Sequence, residues 1–262
     1  MTEPAVSGGA LAGLVLALTR PRARAARWAD VFRKAGAKVL LTPVIETVPP
    51  SDTSPLDDAL RSMSRYGCYD WTVFTSISSV ERVFERLRAL RLSPSLFDEC
   101  SVAAVGRATA ASLERNGVRP RIVPKREDAE GLLDAFQIEG LGGLSILMPR
   151  AASGRETFPE GARVLGAEVH VVEAYRTVEI PGGVDALHEH LSSGGVDAVV
   201  VGSPSQVKAL VPRLTGLLSA CLVICAGSTT AEEVQRAGLK AYKAPRPDAH
   251  AVVSLLGSLR TR

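Results

Sequence analysis

The sequence overlies itself. Gly106, Thr109, Ala110 and Gly117 fall on Gly227, Thr230, Ala231 and Gly238, each 121 residues further on. Asp70, Ser76, Ser78 and Val80 fall on Asp197, Ser203, Ser205 and Val207 at an offset of 127; Arg20 and Gly36 fall on Arg150 and Gly166 at 130; Pro124 falls on Pro245 at 121 again. Offsets that drift by a few residues are what loop insertions produce, so the chain of 262 residues reads as two copies of a unit near 130. At 46% apolar and 23% charged residues, it can bury an ordinary core, as one large domain or two of that size.

Each copy alternates short runs of Val, Ile and Leu with segments of helical period, the pattern of a parallel sheet covered by helices. In SSVERVFERL, Val80, Val83, Phe84 and Leu87 stand at i, i+3, i+4 and i+7, one buried helical face. Strands are expected near 13–19, 38–48, 70–75, 101–105, 121–123, 144–148, 168–178, 197–201, 221–226 and 240–242. Two segments, AKVLLTPVIETVPP at 37–50 and AEVHVVEAYRTVEIP at 167–181, far exceed an ordinary strand and occupy equivalent places in the two copies. A strand that long can leave one sheet and enter another. Two such crossings give an α/β protein of two similar lobes, one from 48–172 and the other from 1–42 with 178–262. A plain tandem of lobes is the alternative.

Several function classes are disfavoured. A formal net charge of +3 is too small a surplus to imply nucleic acid, although Arg20, Arg22, Arg24 and Arg27 would meet an anion locally. The apolar stretch GALAGLVLAL at 9–18 has Glu3 as the only charge ahead of it, no basic region of a signal peptide, and too few residues to span a bilayer. Cys68, Cys100, Cys221 and Cys225 form no CxxC pair and read as reduced, cytosolic and mostly buried. His188 and His190 diverge on a helix and make a poor metal pair, His170 and His250 stand alone, and no P-loop, dinucleotide fingerprint or nucleophile elbow occurs.

What remains lies at the strand-to-helix junctions. Ser78 with Glu81, Ser153 with Glu156, Ser203 with Gln206 and Thr230 with Glu233 have capping-box spacing. They either start helices and nothing more, or, taken together, aim exposed N–H groups into one cleft where anions bind. Glycines at 106, 202 and 227 would let a ligand approach the backbone. Arg22 and Arg24 stand in the first turn of the helix that begins near Pro21, where the dipole disfavours cations, and Arg150 and Arg155 occupy the matching junction of the second copy. Tyr175 aligns with Ile45, so one copy alone carries a phenol on its crossing strand, either packing at a hinge or acting in catalysis.

At this point the residues resemble the uroporphyrinogen-III synthase family across nearly the whole chain. The likeness runs through LTRP at 18–21, PVIETVP at 43–49, FTSISSV at 74–80, AVGRATAASLERNG at 104–117 and VPKREDAEGLLDAF at 123–136. It continues in PRAASGRE at 149–156, EAYRTV at 173–178, SPSQV at 203–207, AGSTTAEEV at 226–234 and APRPDAHAVVSLL at 244–256. The resemblance implies two lobes, each a parallel sheet flanked by helices, joined by a two-stranded linker, here at 43–47 and 173–177. It implies cyclisation of hydroxymethylbilane to uroporphyrinogen III by a cytoplasmic monomer of heme biosynthesis, with loss of water, inversion of ring D through a spiro intermediate, and no cofactor, metal, nucleic acid or membrane. By matching position it assigns acid catalysis to Tyr175 and carboxylate binding to Arg20, Ser76, Thr109, Arg150, Arg155, Ser203, Thr229 and Thr230. Ser78, Gly202 and Ser228 depart from the residues frequent in the family, Asn, Thr and Pro. A two-lobed tetrapyrrole or polycarboxylate sensor without turnover fits the same loops; a sugar-binding protein would need stacking aromatics and an acidic pair, and aromatics are 5%.

Overall fold

Apolar runs of four residues followed by amphipathic stretches fold as alternating strands and helices. The computed structural model describes residues 9–260; Glu3 lies outside them. In chain order the first elements are β1 (Val15–Leu18), α1 (Arg22–Lys34), β2 (Lys38–Leu41), β3 (Ile45–Val48), α2 (Ser54–Tyr66), β4 (Trp71–Phe74) and α3 (Ile77–Leu90). Then follow β5 (Ser101–Ala104), α4 (Arg107–Glu114), α5 (Ala129–Glu139), β6 (Ser145–Ala151), α6 (Thr157–Val164) and β7 (Glu168–Glu179). The last are α7 (Pro181–Ser192), β8 (Ala198–Val201), α8 (Pro204–Leu218), β9 (Leu222–Cys225), α9 (Ser228–Arg236), β10 (Ala241–Lys243) and α10 (Ala249–Arg260).

The chain divides into two units: a first formed up to Glu46 and again from Thr177 onward, and a second at Thr47–Arg176. The first unit holds a five-stranded sheet ordered β10-β9-β8-β1-β2, with every pair parallel. The second holds β3-β7-β6-β4-β5, parallel from β7 to β5. The copies are therefore the same device. β1, β2, β8 and β9 of one sheet correspond to β6, β7, β4 and β5 of the other, and the offsets of 130, 127 and 121 carry β1, β4 and β5 onto the first residues of their equivalents.

Alternation of side chains gives each sheet two apolar faces. In the first unit Leu16, Leu18, Ala198, Val200 and Ile224 pack with Phe32 of α1 and Val252 of α10, while Ala17, Val199, Val201 and Val223 pack with Leu187, Leu210 and Val234 of α7, α8 and α9. In the second, Phe74, Val102, Ala104 and Leu147 pack with Leu60, Phe84 and Leu113 of α2, α3 and α4, and Trp71, Val73 and Ile146 with Phe136 and Phe158 of α5 and α6. The helical face read from Val80, Val83, Phe84 and Leu87 is buried as expected.

Three local expectations need correction. The long strand at 38–48 is two strands in two sheets: Pro43, which lacks an N–H for a ladder, interrupts it between β2 and β3. The second long strand stays continuous. The strand near 121–123 reduces to a single bridge, Ala103 to Ile122. Among the cysteines only Cys225 is buried, Cys68 being exposed and Cys100 and Cys221 intermediate; all four are free. Burial pushes the Cys225 thiol up to about 12 and the Cys221 thiol to about 11, so both stay protonated at neutral pH.

Candidate active site

In each sheet the chain winds outward in both directions from a central pair, β1 and β8 in the first unit and β6 and β4 in the second. The carboxyl ends of such a pair are where open α/β sheets bind ligands, because the two following loops turn opposite ways and leave a crevice. Arg20, Gly202 and Ser203 follow β1 and β8. Ser76 follows β4, and Arg150 is the second-to-last residue of β6.

In the first unit Thr19 and Gln206, both buried, tie the two loops together. Thr19 Oγ1 donates toward the Val200 carbonyl at 3.0 Å and lies 2.9 Å from Gln206 Oε1, which also accepts from the Gly202 N–H at 2.7 Å. Above this tie the Arg20 guanidinium lies over the Trp28 ring, 3.8 Å from its centroid. A Cβ added at Gly202 would sit 2.9 Å from Arg20 Nη2, so glycine leaves room for the cation. Burial, and then the positive charge of Arg24, pull the Arg20 pKa down to about 10; the side chain remains charged at neutral pH and both influences oppose that charge. Ser203 caps α8 with extended backbone, yet its side chain makes no capping bond, and its Oγ is buried without a hydrogen-bond partner. At α9, Gly227 is the cap, Ser228 and Thr229 are exposed, and Thr230 is buried in the first turn.

In the second unit the equivalent groups are engaged by the protein itself. Ser76 Oγ accepts from the Ser79 N–H at 3.1 Å and lies 3.0 Å from the hydroxyl of Tyr175. A bulge sets that meeting. β7 pairs Glu173 with Arg150 and then Tyr175 with Ala151, skipping Ala174, so Ala174 and Tyr175 both enter the same core face and the phenol comes round toward α3. Arg150, buried where Arg20 is half-buried, donates through Nη1 to the Arg155 carbonyl at 2.6 Å and pairs through Nη2 with Glu156. Arg155 itself is exposed. The start of α4 holds an internal carboxylate: Glu127 accepts from the Arg107 N–H at 3.0 Å and from Arg107 Nε at 2.6 Å, in space that a Cβ on Gly106 would fill. Thr109 is buried in the first turn of α4, as Thr230 is at α9.

The structure thus brings Ser76 to Tyr175 and Arg150 to Arg155 in one unit, and Arg20 beside the Ser203 loop in the other. It does not form the expected capping boxes. Ser78 and Thr230 lie inside helices, Glu156 is itself the cap of α6, and Ser203 caps without a side-chain bond. At α3, α5 and α10 the side-chain caps come from Ser76, Asp128 and Asp248, the last two accepting from the N–H groups of Gly131 at 2.7 Å and Ala251 at 2.8 Å. His170 does not stand alone; it hydrogen-bonds Tyr69 and stacks on its ring. Sequence reasoning missed Trp28 and Glu127, and named Gln206 as a capping partner of Ser203 rather than as the tie to Thr19 and Gly202. Trp28 carried a signal, since it lies one helical turn after Arg24 on the helix that follows Arg20.

A cavity of about 500 Å³ in the first unit is lined by Val196, Asp197, Cys221 and Lys240, at the amino ends of β8, β9 and β10, the opposite edge from Arg20 and Ser203. Among the described residues, no cluster of three or more His, Cys, Asp or Glu is placed to hold a metal ion, and no helix is long and apolar enough to cross a membrane.

Residues 26–254 match the family model described as uroporphyrinogen-III synthase HemD. A protein of Methanothermobacter thermautotrophicus provisionally named uroporphyrinogen-III synthase is 31% identical over 253 residues, 93% of this chain and 96% of its own length. The uroporphyrinogen-III synthase of Synechococcus elongatus is 33% identical over 168 residues, 64% of this chain and 62% of its own length. In fold, a mutant uroporphyrinogen III synthase from Thermus thermophilus superposes with a TM-score of 0.68 at 21% identity, over 95% of this chain and 98% of that one. Sequence and fold agree, and the chain belongs to the uroporphyrinogen-III synthase family.

Proposed function

We propose that this chain cyclises hydroxymethylbilane to uroporphyrinogen III, inverting ring D through a spiro intermediate and releasing water, with Tyr175 as the acid that protonates the departing hydroxyl. The observation that carries the assignment of Tyr175 is its hydroxyl held 3.0 Å from Ser76 Oγ, beyond the carboxyl end of β4. A phenol on a strand bulge, anchored by a serine that also caps a helix, is a fixed proton donor at the ligand edge of the sheet.

The pyrrole nitrogen provides the electron push. The C–O bond of the hydroxymethyl group breaks as Tyr175 gives its proton to the oxygen, and water, an azafulvenium cation and the Tyr175 phenolate result. The substituted carbon of ring D attacks the methylene to form the spiro pyrrolenine; fragmentation and reclosure at the unsubstituted carbon follow. The proton lost when that ring regains aromaticity restores the phenol. Left alone, the substrate closes without inversion, so the protein's contribution is geometry and charge stabilisation.

The substrate has eight carboxylates, and receptors for them are proposed in each unit. Arg20, Ser203, Thr229 and Thr230 serve through side chains or the N–H groups of α8 and α9. Ser76 and Thr109 serve at α3 and α4, while Arg150 holds the loop that presents Arg155. Reaction in the cytoplasm by a monomer, without nucleic acid, completes the assignment. Its test is anaerobic incubation with hydroxymethylbilane, oxidation of the products and separation of isomers. Type III in excess supports the reading, and type I alone at background level overturns it in favour of a sensor.

A further inference from the structure

We infer that Trp28 and Gly202 are positioning residues, the indole face and the absent Cβ together holding the Arg20 guanidinium as a carboxylate receptor beyond β1 and β8. This assignment rests on the function proposed above and concerns the substrate's acetate or propionate arms.

Each half of the arrangement is anchored. Trp28 lies on α1, and its ring meets Phe32 edge-on, with centroids 5.9 Å apart and planes at 88°. Phe32 is fully buried in the core that α1 and α10 make with the sheet, so the indole is a platform fixed to that core. The Arg20 guanidinium carbon lies 3.8 Å above the platform, well within the range of a cation–π contact. The Gly202 backbone is pinned by the N–H bond to Gln206 at 2.7 Å, and the space a Cβ would take belongs to Arg20 Nη2. Ser203, next in the chain, presents a buried hydroxyl oxygen without a hydrogen-bond partner.

The chemistry points to a carboxylate. A guanidinium stacked on one face keeps its edge N–H groups in a plane, the geometry that receives two carboxylate oxygens. Arg20 is held where both burial and Arg24 disfavour its charge. An anion relieves both. Arg150, the equivalent residue of the second copy, has no such platform and spends its N–H groups on Glu156 and the Arg155 carbonyl. Position in the repeat is shared by the two arginines; Trp28 and Gly202 make one of them a receptor.

The test is a double-mutant cycle in the full chain. Trp28→Leu, Trp28→Phe and Gly202→Ala are made alone and in an Arg20→Ala background, with KM and kcat for hydroxymethylbilane measured for each. Loss of the stack or displacement of the guanidinium is expected to raise KM about three- to tenfold with kcat within about twofold, and Trp28→Phe to recover most of the loss. In the Arg20→Ala background both effects are expected to vanish. Equal losses in the two backgrounds would mean that Trp28 merely packs on Phe32, and would overturn the inference. A second readout needs no turnover: the fluorescence difference between wild type and Trp28→Phe is titrated with butane-1,2,3,4-tetracarboxylate. A salt-sensitive response that Arg20→Ala abolishes supports the clamp even if no type III product forms; a flat titration, or one unchanged by Arg20→Ala, contradicts it.

Discussion

The hydroxyl of Tyr175 lies 3.0 Å from Ser76 Oγ, although 99 residues separate them in the chain. The meeting depends on two local features: the bulge that skips Ala174, and the extended backbone of Ser76 at the start of α3, with φ −159° and ψ 154°. The corresponding pair in the other unit is absent, since Ile45 stands where Tyr175 does and Ser203 Oγ has no partner. The two copies share a frame, and the second alone carries a phenol at this position.

Replacing Tyr175 by Phe keeps the ring and removes the proton. Turnover is expected to fall about 100-fold, the usual order for a positioned general acid, while product affinity changes by less than about twofold. Steady-state kinetics beside a product-binding titration separates the two. Unchanged turnover would show that the phenol only packs.

Arg155 is exposed on the loop that Arg150 holds. Arg155→Ala is expected to raise KM about threefold at low salt, and the difference should shrink as ionic strength shortens the screening length. A loss independent of salt would argue for a structural role instead.

Stability of the second unit leans on Asp57 of α2 and Arg86 of α3. Arg86 Nε and Nη2 donate to the two carboxylate oxygens at 2.8 and 2.6 Å, and Asp57 is buried. Asp57→Ala leaves a cation partly buried without its partner and is expected to cost about 2 kcal/mol, moderated because Arg86 keeps some access to water. Urea denaturation reads this. Asp57→Leu with Arg86→Met should recover part of the loss, and no recovery would mean the pair's value lies elsewhere.

Asp128 gives a prediction with a pH sign. Burial pushes its carboxyl up, but the Gly131 N–H and Arg126 push it down further, leaving it below its ordinary value of 3.8. A group whose folded pKa is depressed stabilises the fold above its unfolded pKa and loses that effect as pH falls through the folded value. Asp128→Ala is therefore expected to cost about 1 kcal/mol at pH 7, the usual worth of a helix cap, and progressively less below pH 3.8. A difference that stays constant through acid would contradict the capping role.

Much of the fold was legible because its causes are periodic. Strand alternation, helical faces and the self-overlap of the sequence each reflect burial repeated along the chain, and the β4 and β5 equivalences follow from the offsets alone. The site was legible as positions but only partly as partnerships. Ser76, Tyr175, Arg20 and Ser203 could be named, whereas the bulge at Ala174 leaves no trace in composition, and nothing in PRAASGRE says that Arg150 turns back onto Glu156. The capping-box spacing misled in two ways: at α9 Gly227 takes the cap and Thr230 faces inward, while at α8 Ser203 takes the cap without a side-chain bond. Gly202 looked like a departure from the family pattern; its meaning depends on Arg20, distant in sequence and adjacent only in the folded sheet.

The isomer ratio of the cyclised product tests the central claim most directly. With hydroxymethylbilane under anaerobic conditions, the wild-type chain is predicted to give uroporphyrinogen III well above the enzyme-free control, and Tyr175→Phe far less in the same time. A product mixture identical to the enzyme-free control, type I throughout, would contradict the account.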